Sequence, residues 1–479
     1  MSSFNKTTLK YITATQSIIL VLTGCTVGPN YSPPEMEMPK QWLHSSANHF
    51  TIVPEANDVG WWEIFNDEDL DSLIQQAIVN NKDVMTAFYK IEAARALRDA
   101  TIGQYYPSIN TTGSYSRSLY SSISQVPVSS KPFNLYTWGF SFLWEVDLFG
   151  KIKRSAESSQ ASYQASIEDY RDIMVTLLSD VCNNYIELRT TQERIKYAES
   201  NVETQRKTLE LTRSLYKAEL VSELDVRQAE FNLANTESQI PLLRVTEEAS
   251  FNSLAVLVGR MPGTLRNELS ASKSLSAVRE NIDISLPANL IRQRPDIRRA
   301  ERQLAAQTAN IGVTEADLYP SLTLSGNIQT QSLNFSGLGN LNNKSYSYGP
   351  GITWNIFNAG ITRNNVKIQK AIAAELLSDW QNTVLTAVED VQNAMYSYIQ
   401  DESRRKSLEE SVVASRRSVD LVQNLYASGL TDFQNVLDTE HALFLQQDSL
   451  AVSKGLLLQD IVLIYKAFGA GWQNIEIQK

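Results

Sequence analysis

Three histidines, two cysteines and a few carboxylates at helix turns are the residues here whose chemistry could matter. His44, His49 and His441 fall at no spacing that would ligate a metal or relay a proton. The H-E-x-x-H, G-x-S-x-G and phosphate-cradling glycine patterns are missing from the sequence. No catalytic residue, cofactor or metal site is therefore expected, and the chain does not read as an enzyme. Cys25 and Cys182 could form one disulfide at most, so no disulfide framework holds the fold. Cys182 lies in a helical stretch and is expected to be a small buried apolar residue. The carboxylates stand out by position: Asp225, Asp432 and Asp438 sit at or just beyond two helix-to-helix turns, 216–225 and 426–435.

Cys25 has its own context. Lys6 and Lys10 are the only charges before it, and 11–21 is an uncharged, mostly apolar or small stretch. That is a secretory signal, too short for a convincing membrane-spanning helix. It ends in Leu22-Thr23-Gly24-Cys25, which resembles a bacterial lipobox. The resemblance implies that Cys25 becomes the acylated first residue of the mature chain, anchored firmly if several acyl chains are attached. Thr26 follows, where aspartate in similar lipoproteins would indicate inner-membrane retention.

With 479 residues, the chain exceeds one ordinary compact domain unless it is elongated. Its 43% hydrophobic content and mean hydropathy of -0.25 exclude both a bundle of membrane helices and a disordered chain. A formal charge of -10 argues against nucleic acid as a partner.

The elements that must position these residues are written twice. Trp144 and Gly150 recur 210 positions later as Trp354 and Gly360, Leu215-Tyr216 as Leu425-Tyr426, and Gly259 as Gly469. Val226, Glu230 and Leu233 recur as Val436, Glu440 and Leu443, and Tyr106-Pro107-Ser108 returns as Tyr319-Pro320-Ser321. Each copy runs helix, hairpin, long helix, turn, helix. Residues 151–216 and 361–426 contain no Gly or Pro and carry apolar residues at helical spacing. About 66 residues at 1.5 Å rise give a helix on the order of 100 Å, suited to a coiled-coil-like wall. Return helices are expected over 221–257 and 431–468, the first kinked or broken at Pro241.

The predicted organisation is a signal peptide over 1–24, an N-terminal lipid-anchored and equatorial segment over 25–68, and repeat 1 over 69–265. An equatorial linker over 266–295, repeat 2 over 296–469 and a tail over 470–479 follow. The hairpins lie at about 108–144 and 321–354. Along the second strand of the first, Tyr136, Trp138, Phe140, Phe142 and Trp144 share one face, opposite a face of mostly small residues. That alternation over about ten residues resembles a transmembrane strand whose aromatic face meets lipid. Four strands leave two open edges that hydrocarbon cannot satisfy. Two chains would give about eight strands with a side-chain-filled interior, whereas three would give about twelve and a lumen. Geometry therefore favours a homotrimer.

Several segments carry a family resemblance: Cys25 with Val27-Gly28-Pro29-Asn30-Tyr31, residues 61–67 (WWEIFND), 257–263 (LVGRMPG) and 292–298 (RQRPDIR). In these, in their order and in the duplication, the chain resembles the NodT/OprM-type branch of the TolC-like outer-membrane factors. The resemblance implies an α+β membrane protein: a trimeric 12-stranded β-barrel continuous with a 12-helix periplasmic α-barrel, belted by a mixed collar. It also implies the partners, a periplasmic adaptor and an inner-membrane pump, usually of the proton-driven resistance-nodulation-division type. The chain would be the passive exit duct for drugs or other small molecules. Trp61-Trp62 is expected to pack in the collar, and Pro295-Asp296 to start a helix, where proline loses nothing and a carboxylate suits the dipole.

In such proteins the Tyr-x-x-Gly turn forms the periplasmic tip, where helices converge and close the resting pore. Here Gly429 follows Tyr426 at that spacing, while the first copy has Glu219 instead of glycine, which leaves its turn geometry open. Asp432 and Asp438, with Asp225 behind them, are the gate candidates, because an aspartate near a threefold axis becomes a ring that repels anions and attracts cations. Leu220, Ser222, Gly429 and Leu430 are the candidate adaptor contacts. A protein-secretion conduit would share this architecture, and a structural coiled-coil surface protein is the rival of a different class. The aromatic hairpins and the repeat speak against the second.

Overall fold

The computed structural model describes residues 26–44, 50–52, 60–119, 131–273 and 282–473. Its elements, in chain order, begin with the short strand β1 (Phe50–Ile52), a 3-10 turn at Trp61–Phe65, and helices α1 (Glu68–Asn80) and α2 (Lys82–Gly103). Strands β2 (Ser108–Ser118) and β3 (Phe133–Val146) precede the long helix α3 (Lys151–Lys217) and its return helix α4 (Glu223–Leu257). After α5 (Arg266–Leu269), β4 (Ile282–Ile284) and α6 (Pro287–Gln293), the second round follows. It comprises α7 (Pro295–Ala316), β5 (Ser321–Ser332), β6 (Lys344–Thr353), α8 (Ile361–Ala427) and α9 (Phe433–Phe468). Two 3-10 turns, Phe335–Gly339 and Leu341–Asn343, lie between β5 and β6.

Local chemistry sets the boundaries. Asp67 caps α1 by accepting from the amides of Asp69 and Leu70, and Asn81 does the same for Asp83 and Val84 at the start of α2. Pro295 occupies the first position of α7, with Asp296 in its first turn. One expectation needs correction. Helix α4 runs unbroken through Pro241, which is exposed. The carbonyl left without its amide partner there can be met by water, so the helix tolerates a residue that would break it in a dry interior.

The contacts divide the chain into two compact units. The first comprises residues 1–35, 91–166 and 299–380 and holds the four-stranded antiparallel sheet, ordered β2-β3-β5-β6. In its registers Phe142 stands between Ile109 and Gly326, Phe140 between Thr111 and Ile328, and Tyr346 opposite Ile328. Matching tryptophans fasten both hairpins to the preceding helix. The Trp144 indole donates to the carbonyl of Tyr105 (2.9 Å) and the Trp354 indole to that of Leu318 (3.0 Å).

The second unit comprises residues 36–90, 167–298 and 381–479. Its core is helical, with Leu178, Val181, Cys182, Tyr185 and Ile186 of α3 and Val391, Ala394 and Met395 of α8 all buried. Burial pushes the Cys182 thiol well above its ordinary range, as befits a packing residue. A two-stranded parallel ladder pairs β1 with β4, Phe50 opposite Ile282. Trp61 and Trp62 are buried in this unit, Trp61 stacked on Tyr465 at 5.0 Å.

Arg189 is a heavily used buried charge of the second unit. It is 2% exposed. Its guanidinium donates to Gln192 (2.9 Å), the carbonyls of Leu269 (3.1 Å) and Ala271 (2.8 Å), and Asp69 (2.8 Å). It thereby ties the chain after α5 to α3.

Candidate functional site

The sheet has two chemically distinct faces. One carries Tyr136, Trp138, Phe140, Phe142 and Trp144 of β3 with Ile109, Ile328, Tyr346, Tyr348 and Ile352 from its neighbours. Trp138 and Phe140 pack edge to face at 5.4 Å, and Tyr346 stacks on Tyr348 at 6.4 Å. A groove of about 500 Å³ runs among Ile109, Phe140, Phe142, Ile328, Tyr346 and Tyr348. These side chains are exposed in the protomer, an arrangement that water alone would penalise. The opposite face presents neutral hydrogen-bonding groups in register: Asn110, Ser141, Asn327 and Ser347 in one row, Thr112, Gly139, Gln329 and Ser345 in the next.

The helix turns are built alike in both copies. In the first, the amide of Glu219 donates to the carbonyl of Tyr216 (2.9 Å) and that of Leu220 to Leu215 (3.0 Å). In the second, Gly429 donates to Tyr426 (2.9 Å) and Leu430 to Leu425 (2.9 Å). This paired closure needs a left-handed residue after the helix. Gly429 supplies it at φ 71°, and Glu219 adopts it at φ 57° despite its side chain. The substitution in the first copy therefore leaves the turn geometry intact.

Beneath the turns, Leu209, Val226, Ala229, Tyr426, Phe433 and Val436 form an apolar cluster, with Tyr426 and Phe433 rings 5.2 Å apart. Above it opens a cleft of about 820 Å³, lined among others by Leu220, Leu224, Asp225, Gly429, Thr431 and Asp432. The structure thus gathers Asp225, Asp432, Leu220 and Gly429 around one cleft. Asp438, Ser222 and Leu430 are exposed and are not among its lining residues. Asp225 accepts from the Ser222 hydroxyl (3.1 Å) and Asp438 from the Gln434 amide (2.8 Å), while Asp432 stands at the N-terminus of α9 without capping it.

Cys25 and the signal segment lie outside the described residues. The chain that follows is fixed in the first unit. The amide of Val27 donates to the carbonyl of Phe149 (3.1 Å). The buried Arg154 guanidinium donates to the carbonyls of Val27 (3.0 Å) and Gly28 (3.1 Å) and to Asn30 (2.8 Å). Thr26 is thereby held within a few residues of the end of β3. Arg154 was not singled out from the sequence, because nothing in an arginine on a helix announces a partner more than 120 residues away.

Among the described residues no helix is long and apolar enough to cross a membrane, and no cluster of acidic, histidine or cysteine side chains could hold a metal ion. A sheet oily on one face and hydrogen-bonding on the other, together with two 67-residue helices that turn back at an acidic cleft, is the combination a strand-based membrane conduit calls for.

Comparison with known proteins agrees. The model of the outer membrane efflux protein family matches residues 73–260 and 286–470, and the chain belongs to that family. It is 32% identical to Nodulation protein T of Rhizobium leguminosarum bv. trifolii, over 95% of this chain and 96% of that protein. It is 28% identical to the cation efflux system protein CusC of Escherichia coli O6:H1, over 95% and 98% respectively. The solved structure of the outer-membrane channel OprN superposes with a TM-score of 0.88 at 34% identity, covering 94% of this chain and all of that one. The protein is an outer-membrane efflux channel component, and members of its family work with adaptor proteins and inner-membrane pumps.

Proposed function

We propose that three copies of this chain close their sheets into one 12-stranded barrel, continuous with a 12-helix barrel crossing the periplasm. Cys25 carries the lipid anchor. The assembly is the passive outer duct of a tripartite pump, receiving small molecules through a periplasmic adaptor from an inner-membrane pump of the resistance-nodulation-division class. One observation carries this reading: a four-stranded sheet, open at β2 and β6, bears an exposed aromatic face opposite a mostly polar one. Hydrocarbon tolerates such a sheet only when its edges are paired, and pairing with sister copies does so. The aromatic row from Tyr136 to Trp144 then faces lipid, and the Asn, Gln, Ser and Thr rows line the lumen, with Glu145 on the same face near the end of β3. The strap held by Arg154 keeps Thr26 beside the end of β3, so an acyl group on the preceding residue would lie near the same bilayer.

At the helix turns, the acidic clefts of the three copies form the resting constriction, and Leu220, Ser222, Gly429 and Leu430 offer the adaptor its apolar and backbone contacts. The purified protein in detergent should have three times the chain mass by native mass spectrometry. It should give small conductances in planar bilayers that rise in the Asp432→Ala, Asp438→Ala double variant. A stable monomer that makes no pores would overturn the reading, and unchanged conductance in the double variant would remove those two aspartates from the gate.

A further inference from the structure

Positions 210 apart can be compared contact by contact, and one pair has diverged. In the first copy Arg213 of α3 donates to Glu230 of α4 at 2.8 Å, and Arg227 adds a second bond at 3.0 Å. This group is open to solvent, and the two arginines hold the Glu230 carboxyl below its ordinary range. In the second copy the same two positions are Gln423 and Glu440. Gln423 donates to Glu440 at 2.9 Å, but the cation is gone and the acid is only 3% exposed. Thr208 of α3 donates to the same Glu440 oxygen at 2.6 Å, while the other, Oε2, is buried with no hydrogen-bond partner.

Among the described residues the surroundings show no buried counter-charge. Helix α3 presents Thr208 and α8 presents Gln423, and both are neutral. Lys207, Glu210 and Arg213 of α3, Arg417 and Asp420 of α8, and Asp438 and His441 of α9 are solvent-exposed. On α4 the nearby charges are Asp225, Arg227, Glu230 and Glu237. Arg227 and Glu237 are exposed, Asp225 accepts from Ser222, and Glu230 is taken up by its arginines. A lone buried carboxylate is expensive, whereas the neutral acid fits, its unpartnered oxygen becoming a hydroxyl.

We propose that Glu440 is a protonation-controlled latch on the α8–α9 hairpin: the neutral acid seats α9 against α3 and α8, and its ionisation loosens that seat. Burial raises the Glu440 pKa, and the bonds from Thr208 and Gln423 offset part of the rise. With the folded value raised, this stabilisation is complete below about pH 4.3, the ordinary glutamate value, and fades as pH rises through the folded value. The hairpin at the cleft therefore tightens in acid and loosens in alkali, while its first-copy counterpart, with an acid ionised throughout, does not respond in this range.

Hydrogen exchange of the full-length protein in detergent tests this without requiring that it conduct. After correction for intrinsic rates, protection of residues 431–447 should fall roughly tenfold between pH 5 and pH 8, the scale of one buried polar group left unsatisfied. Protection of 221–237 should not change. Glu440→Gln, which fixes the neutral shape, should hold the hairpin protected at both pH values. Gln423→Arg, which restores the first-copy pair, should flatten or reverse the response. A wild-type pH response that survives unchanged in Glu440→Gln would overturn the latch, as would equal responses in the two hairpins.

Discussion

The two turns allow a paired test of backbone strain at the cleft. An added Cβ on Gly429 would meet nothing within 4 Å, so Gly429→Ala adds conformational strain without collision. Holding an L-residue at φ 71° costs roughly 1–2 kcal/mol. The stiffer unfolded chain returns about 0.4–1 kcal/mol, so the net loss should be near 1 kcal/mol. Glu219→Gly runs the same cycle backwards, releasing strain at φ 57° and gaining unfolded entropy, for a net gain of about 0.5–1 kcal/mol. Hydrogen exchange at the amides of Glu219, Leu220, Gly429 and Leu430 reads both changes. Gly429→Ala should speed exchange by about fivefold, and Glu219→Gly should slow it by a few-fold. Gly259→Ala is the control. Its φ is 72°, but a Cβ there would overlap the Asn80 carbonyl, so its cost must exceed that of Gly429→Ala. Faster exchange in Glu219→Gly would refute the reasoning, because relief of strain cannot destabilise the turn it strains.

Three further perturbations have definite signs. Asp460 is pushed up to about 7 by burial, with Asp401 alongside adding to the rise. Its stabilisation is complete below about pH 4 and is lost as pH climbs through 7, so Asp460→Asn should raise the melting temperature at pH 8 and leave it nearly unchanged at pH 4. Arg189→Met strips the Ala271 carbonyl of a donor, leaves the Leu269 carbonyl to the Gln192 amide and removes one ion-pair partner of Asp69, which keeps Lys273. It should cost roughly 1–3 kcal/mol, seen first as exchange at 266–273. Raising NaCl from about 0.05 to 1 M shortens the screening length from over 10 Å to about 3 Å. It should loosen the α3–α4 contact, which carries Arg213–Glu230, Arg206–Glu237 and Arg244–Glu199 beside its apolar packing, more than α8–α9; equal effects would contradict a contribution from those pairs.

How much of this was legible depended on the range over which each signal acts. Residues 151–216 lack Gly and Pro, and the helix runs Lys151–Lys217; Tyr-Pro breaks precede both β2 and β5. The period-two aromatics of β3 mark a face because strand geometry forces alternate side chains to opposite sides. Strands β1 and β4 have three residues each, too few to show any period, and their parallel pairing spans more than 200 residues. Of the kink or break expected at Pro241, the break is absent, because propensity carries no information about whether a face is wet. Arg154 and Arg189 look like any helical arginine until the backbone carbonyls they bind are placed beside them.

Glu440 shows a subtler limit. It was visible in the sequence as a repeat anchor, paired with Glu230, and that identity suggested equivalence. Yet the partner at the matching position had changed from Arg213 to Gln423, which removed the cation that would hold a carboxylate ionised. Tyr216 tells the same story from the apolar side: it is 43% exposed, while Tyr426 is 4% exposed and packs on Phe433. Each copy keeps the turn, the left-handed residue and the two closing hydrogen bonds, so the backbone is duplicated while its restraints are not. One hairpin adds solvent-exposed ion pairs, each worth little and screened by salt, to its buried Leu209, Val226 and Ala229. The other is held by buried rings and a neutral acid. A gate built from both could be loosened one hairpin at a time, because the conditions that weaken one restraint leave the other in place.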